Sequence, residues 1–454
     1  MQPIISLRKN AGMSCTQAAC LVSLLLSSPT AFSAAPPPPS NGTSQPRAER
    51  FATSNRIDLV QQLWTVPVAG SPRISGLSCP VNRLPSLSLA GEIILVQDAR
   101  GIRALNLQTG RSAWPDGEHD SGFLLQTDPR FEFPDRERPS FCLSGVVHGK
   151  FWTGCFIRRL VTLNLSAEGR VEWSRTPEDF QIESDGKIDF VSGPIEIPGG
   201  LAIALRESQL EEKKPRGWLV SVDPQGRTRW KTVTPPLPLA TGHAVTGHVT
   251  TGQNVRDAIT VSGNRIYWNQ SGQRFLSLKA DTGEILWQVA LNQAQLERGS
   301  KCDGIAIFAE SNMLIGASGK NVCAFHPADG SLLWQQRLVA PIESIPGIRQ
   351  GIVVVSGECL TGLEASTGRI SWQAGGTNDA GRGLGTGWIL GDHILWPTRQ
   401  ELWTISLWNG RVLQRDALQQ FTQAGGGHVL LRDQTLLIAS PQQLSALQVL
   451  LRAE

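Results

Sequence analysis

Tyrosine is almost missing from this chain: one in 454 residues, against 14 tryptophans. No apolar run reaches roughly 18 residues, which excludes a membrane-spanning helix. A 3.6-residue hydrophobic period is hard to find after the first 33 residues, which argues against a helical domain. A basic surplus is missing as well. Lys and Arg number 42 against 39 Asp and Glu, and the formal charge of +3 falls to +1 without Arg8 and Lys9 of the leader. A nucleic-acid binder needs a basic patch or stripe, and none is visible. Glu211-Glu212-Lys213-Lys214 and Asp135-Arg136-Glu137-Arg138 are mixed-sign runs of the kind found at solvated loop tips. The eight cysteines include no adjacent pair.

What is abundant is glycine, at 46 residues, and it recurs in a repeated sentence. Ala324-Phe325-His326-Pro327-Ala328-Asp329-Gly330 leads to Trp334, and Ser277-Leu278-Lys279-Ala280-Asp281-Thr282-Gly283 leads to Trp287. Gly110 with Trp114, Gly169 with Trp173, Gly226 with Trp230 and Gly368 with Trp372 repeat it, and Gly410 repeats the turn with Gln414 in place of tryptophan. Alternating residues such as Leu105 and Leu107 give a strand with one buried face. Asp-Thr-Gly, Asp-Gly and Asn-Gly close a tight turn where φ is positive. The bulky residues that follow return antiparallel. One such hairpin cannot bury its own faces and must stack on copies of itself.

The repeat resembles the tryptophan-docking motif of the PQQ-like (pyrroloquinoline-quinone-like) β-propellers: a small residue, then Thr-Gly, then Trp. The resemblance implies that each Trp packs on the small residue and glycine of a neighbouring copy. The small position holds Ala104, Val220, Ser277, Ala324, Gly362 and Thr404, and repeat two has one extra residue before Gly169.

Residues 1–33 read as a secretory leader, with a basic start, an apolar core from Ala18 to Leu26 and small residues before Ala34. Cys20 opens that core rather than following it, so the expectation is export without a lipid anchor. Residues 34–56, with Pro36 to Pro39, read as an extended linker, and 57–454 as one propeller domain. Seven outer strands end the repeats up to Gln414. Three further strands, near 427–431, 435–439 and 444–450, lack an outer strand, and the N-terminal stretch near 58–66, with Leu63-Trp64, lacks a repeat before it. The expectation is therefore an all-β fold: an eight-bladed propeller of four-stranded antiparallel blades, its last blade closed by the N-terminal strand around Trp64. Closure removes an open sheet edge.

The resemblance also raises a quinone. The family's PQQ-dependent dehydrogenases hold PQQ over a Trp beneath a Cys-Cys disulfide ring, with Ca²⁺ on Glu and Asn beside a catalytic Asp. No Cys-Cys pair is present, and no Glu, Asn and Asp set matches by motif. No cofactor, metal or catalytic residue is expected. His243 and His248, five apart in a Gly/Thr-rich loop, read as loop histidines because a metal site needs three or four ligands. Gly381 to Gly387 precedes a strand rather than a helix, so the phosphate-loop context fails; it reads as an innermost strand whose small residues let blades converge. The docking residues themselves read as structural. The expected function is an exported, monomeric, non-catalytic scaffold that binds a protein or envelope component in the periplasm or outside the cell. It is similar in blade number and export to the propeller subunit of the outer-membrane β-barrel assembly machinery. The alternative is a quinoprotein-type oxidoreductase, or another enzyme with its site on the long-loop face.

Six cysteines follow the leader: Cys79, Cys142, Cys155, Cys302, Cys323 and Cys359. The stretch around His148-Gly149 reads as a hairpin with Gly149 at the second position of a type I′ turn. That register sets Val147 opposite Lys150 and Cys142 opposite Cys155, close enough for a disulfide. Two small buried thiols satisfy the same pattern.

Overall fold

The computed structural model describes residues 54–68, 84–98, 101–114, 145–156, 159–184, 186–207, 216–236, 257–270, 273–290, 305–310, 312–376, 381–421 and 425–453. The leader, most of the linker, His243, His248, Cys79, Cys142 and Cys302 lie outside them. Eight antiparallel sheets follow one another along the chain as the blades of an eight-bladed β-propeller. Blade six shows the plan: Ile342–Arg349 is innermost, then Ile352–Gly357, Cys359–Glu364 and the outermost Ile370–Gly375. The second strand is a fully buried apolar run (Ile352, Val353, Val354, Val355) because both its faces meet neighbouring blades.

The last blade joins both ends of the chain. Its order is Ser54–Pro67, Gln443–Ala453, Thr435–Ala439 and His428–Arg432, from outside to inside. The expected N-terminal closure is therefore present. Its strand starts at Ser54, three residues inside the stretch read as linker, because Ser54 to Leu59 go on pairing with Val449 to Ala453.

Two blades depart from four strands. Blade one has three described strands, Ser86–Ala90, Ile93–Asp98 and Gly101–Asn106, plus a single bridge from Leu105 to Ser112. In blade three the inner strand is split: Ile188–Phe190 and Ile195–Ile197 both pair with Gly200–Glu207. The glycine run of residues 381–387 does not form the expected innermost strand either, which is only Trp388–Leu390. Its glycines do bring blades together. A Cβ on Gly383 would overlap the Gly357 carbonyl of blade six, and one on Gly385 would overlap the Gly427 backbone of blade eight. Backbone so close to backbone leaves no room for a side chain at these glycines, and a single bridge, Gly383 to Thr398, joins the run to blade seven.

The hairpin around Gly149 corrects the cysteine register. His148 pairs with Phe151 and Val147 with Trp152, so Gly149 is the first central residue of the turn, with φ of 58°, and Lys150 is the second. Continued outward, this register does not set Cys155 against Cys142, and Cys155 is a free, buried thiol. Glycine at the first position suits a type II′ turn, whose twist fits a hairpin as well as type I′ does. The chain repeats the device at Gly91, Gly263 and Gly391, each with positive φ just after the first strand of its blade, and at Gly319 after the second strand of blade five.

Candidate functional site

The sequence-derived site residues build the joints between blades. Six of the seven docking Trp residues reach the turn of the next blade, where the indole N–H donates to a backbone carbonyl: Trp64 to Leu107, Trp173 to Pro224, Trp230 to Ala280, Trp287 to Pro327, Trp334 to Ala365 and Trp372 to Leu407, at 2.7–3.2 Å. Each ring covers Gly110, Gly226, Gly283, Gly330, Gly368 or Gly410, where φ is 66–78° and an added Cβ would overlap the indole. Glycine is thus required twice over at these turns, by conformation and by contact.

The small residue lies on the Trp's own blade, directly across the ladder: Ser277 opposite Trp287, Ala324 opposite Trp334, Gly362 opposite Trp372. A register shift follows it in blades two to seven, and such a bulge re-aims the strand and its side chains. In blade three the partner of Trp230 is Ser221 rather than Val220. The turn there is one residue shorter, with the Gly226 N–H bonded to the Asp223 carbonyl instead of a carbonyl four residues back. Blade two shows the opposite change: its extra residue forms a short 3-10 turn, Leu165–Ala167, and Gly169 N–H reaches Asn164. Trp114 packs with Trp152, Val161 and Leu163 of blade two, and its indole N–H has no acceptor.

The structure also assembles polar groups that the sequence pattern did not reveal. Strand direction alternates within each blade. The connections from an outer strand to the next inner strand therefore share one face with the turns between second and third strands, and the docking turns lie on the other. On the first face, at the joint of blades six and seven, stand Glu343 of the inner strand, Glu358 of the turn after Gly357, and Arg382 of the glycine run. Arg382 pairs with Glu358 at 2.8 Å, and Gly383 N–H donates to the Glu358 carbonyl at 3.0 Å. Glu343 falls in a register shift between Ile342 and Ser344; its Oε2 and the Ser344 hydroxyl are buried without a partner. Burial, and then the repulsion of Glu358, push the Glu343 carboxyl up to about 8. An acid alone in an apolar inner strand, three residues before Pro346-Gly347, is the signal that could have located it.

On the same face Arg206 of blade three pairs with Asp257 at the start of blade four; the Asp257 side chain is fully buried. Trp268 N–H donates to the same carboxylate at 2.9 Å. Arg274 holds the carbonyls of Pro235 and Pro236. Both ends of the long connection from blade three to blade four are thus fixed by buried arginines.

Cys155, Cys323 and Cys359 are free and belong to blades two, five and six. Burial pushes the Cys155 thiol well up and that of Cys323 up to about 12, so neither is a nucleophile near neutral pH. Among the described residues, no three His, Cys, Asp or Glu side chains are placed to hold a metal. A cleft beside Leu338, Pro341, Ile342 and Cys359 has no interior room for a molecule the size of water. No helix is long and apolar enough to cross a membrane among the described residues.

A family model described as outer membrane protein assembly factor BamB matches residues 276–447, from the third strand of blade four into blade eight. The protein of that name from Yersinia pestis is 25% identical over 122 residues, which is 25% of this chain and 29% of that protein's length. Among solved structures, BamB from Moraxella catarrhalis superposes with a TM-score of 0.54 at 12% identity, covering 86% of this chain and all of that one. The quinohemoprotein alcohol dehydrogenase ADHIIG from Pseudomonas putida gives 0.58 at 12% identity, covering 88% of this chain and 76% of that one.

Proposed function

We propose that this eight-bladed β-propeller, whose residues 276–447 match a family model, is an exported, non-catalytic scaffold of the cell envelope that binds a protein partner. The observation that carries this reading is the match of the last repeats, 276–447, to an outer membrane protein assembly factor. The surface supports it. Trp408 stands in the docking turn of blade seven, where other turns carry Gln108, Asp281, Ala328 or Ser366, and it is 54% exposed. In a water-soluble propeller an exposed indole is more useful to a partner than to the fold. The reading includes periplasmic or extracellular location, a monomeric state and no bound quinone.

The likeness to a quinohemoprotein dehydrogenase gives the second reading, and one experiment separates the two. The purified mature chain, mixed with PQQ and Ca²⁺, should show no quinone absorbance and no dye-linked alcohol oxidation. A pull-down from envelope extract should return an outer-membrane assembly protein, and a Trp408→Ser chain should return less of it. Stoichiometric quinone binding would overturn the scaffold reading in favour of the enzyme.

A further inference from the structure

We propose that Glu343 is a proton-operated latch on the joint between blades six and seven. The inference stands apart from the scaffold reading and needs no partner. Ile342 packs into the core shared by blades five and six. Glu343 is the extra residue of the bulge between Ile342 and Ser344, where the charge of Glu358 acts on it and Glu358 in turn holds Arg382. The Glu343 Oε2 is buried and accepts nothing. A carboxyl so placed is tolerated while neutral; ionised, it loses its hydration and faces the carboxylate of Glu358.

Among the described residues, the charged and titratable groups around it are few. The turn after Gly357 brings Glu358, the next strand Cys359, and the glycine run Arg382. The neighbouring inner strand Ile305–Glu310 carries only Glu310, at its far end, and Ile352–Gly357 and Trp388–Leu390 carry none. Arg382 is already engaged by Glu358. An ionised Glu343 can therefore be relieved by water, or by drawing Arg382 away from Glu358. Either route moves the same piece of chain. That piece is held to blade six by Gly383 N–H to the Glu358 carbonyl, and within blade seven by Leu384 N–H to the Pro397 carbonyl. Five of its seven residues are Gly or Thr, and its two large side chains are Leu384 and Arg382, the latter held by Glu358.

Linkage gives the sign. In the closed joint Glu343 titrates near 8, and once opened to water it returns toward 4.5. Between those values opening releases a proton, so rising pH favours the open joint, by up to about tenfold per pH unit, and the effect levels off above the closed value.

Hydrogen exchange of the full mature chain from pH 5.5 to 9.5 reads this directly, once the intrinsic pH dependence of exchange is removed. Protection of the Gly383 and Leu384 amides should fall by tenfold or more up to about pH 8 and then flatten. Protection of the Gly330 amide, in a docking turn of blade five, should stay level. Glu343→Gln keeps the shape and cannot ionise, so its protection at Gly383 should not vary with pH. Glu358→Gln removes only the smaller cause of the shift, so the fall should remain but level off at lower pH. Flat protection in the unaltered chain, or the same fall in Glu343→Gln, would overturn the latch.

Discussion

Two joints of the ring are built differently. Between blades five and six, Trp334 lies on Gly368 and donates to the Ala365 carbonyl. Between blades seven and eight no ring docks: Gln414 stands where the Trp would be and turns to Asp416 of its own strand. The receiving blade explains why. Blade eight takes its third strand from one end of the chain and its fourth from the other, so no turn joins them and no glycine waits there. That joint is held instead by a core of Leu390, Leu395, Leu418, Val429, Leu431 and Ile438, with Leu59 and Phe421 against it. A docking Trp is thus the property of a pair of blades, and it lapses where the partner turn lapses.

The comparison can be broken from either side. The largest effect should come from deleting residues 54–66, which removes both the outer strand of blade eight and the Trp64 dock on blade one. Thermal unfolding should fall sharply in midpoint and lose cooperativity; an unchanged midpoint would mean that the termini do not close the ring. Next, Trp334→Ala should cost about 3–5 kcal/mol, as large aromatic truncations in cores do. Gln414→Ala should cost under about 1 kcal/mol, as surface changes away from special features do. Urea titrations of the two variants decide whether the joints differ as described.

A smaller and pH-dependent effect belongs to Glu343. Its folded-state value is raised, so its favourable contribution is complete below the unfolded value of about 4.5 and is lost as pH rises through about 8. Against the unaltered chain, Glu343→Gln should therefore gain relative stability from pH 5 to pH 8, followed by melting temperature across that window. The smallest change is expected from Gln414→Trp. With no glycine turn to receive the indole, the melting temperature should move by no more than a degree or two; a rise comparable to the loss in Trp334→Ala would show a hidden socket on blade eight.

Much of this protein is written locally. A turn glycine with positive φ, a small residue ten positions before a Trp, and an orphan strand at each end are all matters of spacing along the chain, and they determine repeat, blade number and closure. Where spacing slipped, reading slipped with it. The shorter turn of blade three moved the partner of Trp230 from Val220 to Ser221, and one position for Gly149 moved every pair of its hairpin, Cys155 included. The joint of Glu343, Glu358 and Arg382 could be found only in three dimensions. Its members come from an inner strand, a turn and a connection into the next blade, and what distinguishes them is burial and the company of one another. Those properties arise when blade seven closes against blade six, and no period in the sequence records them.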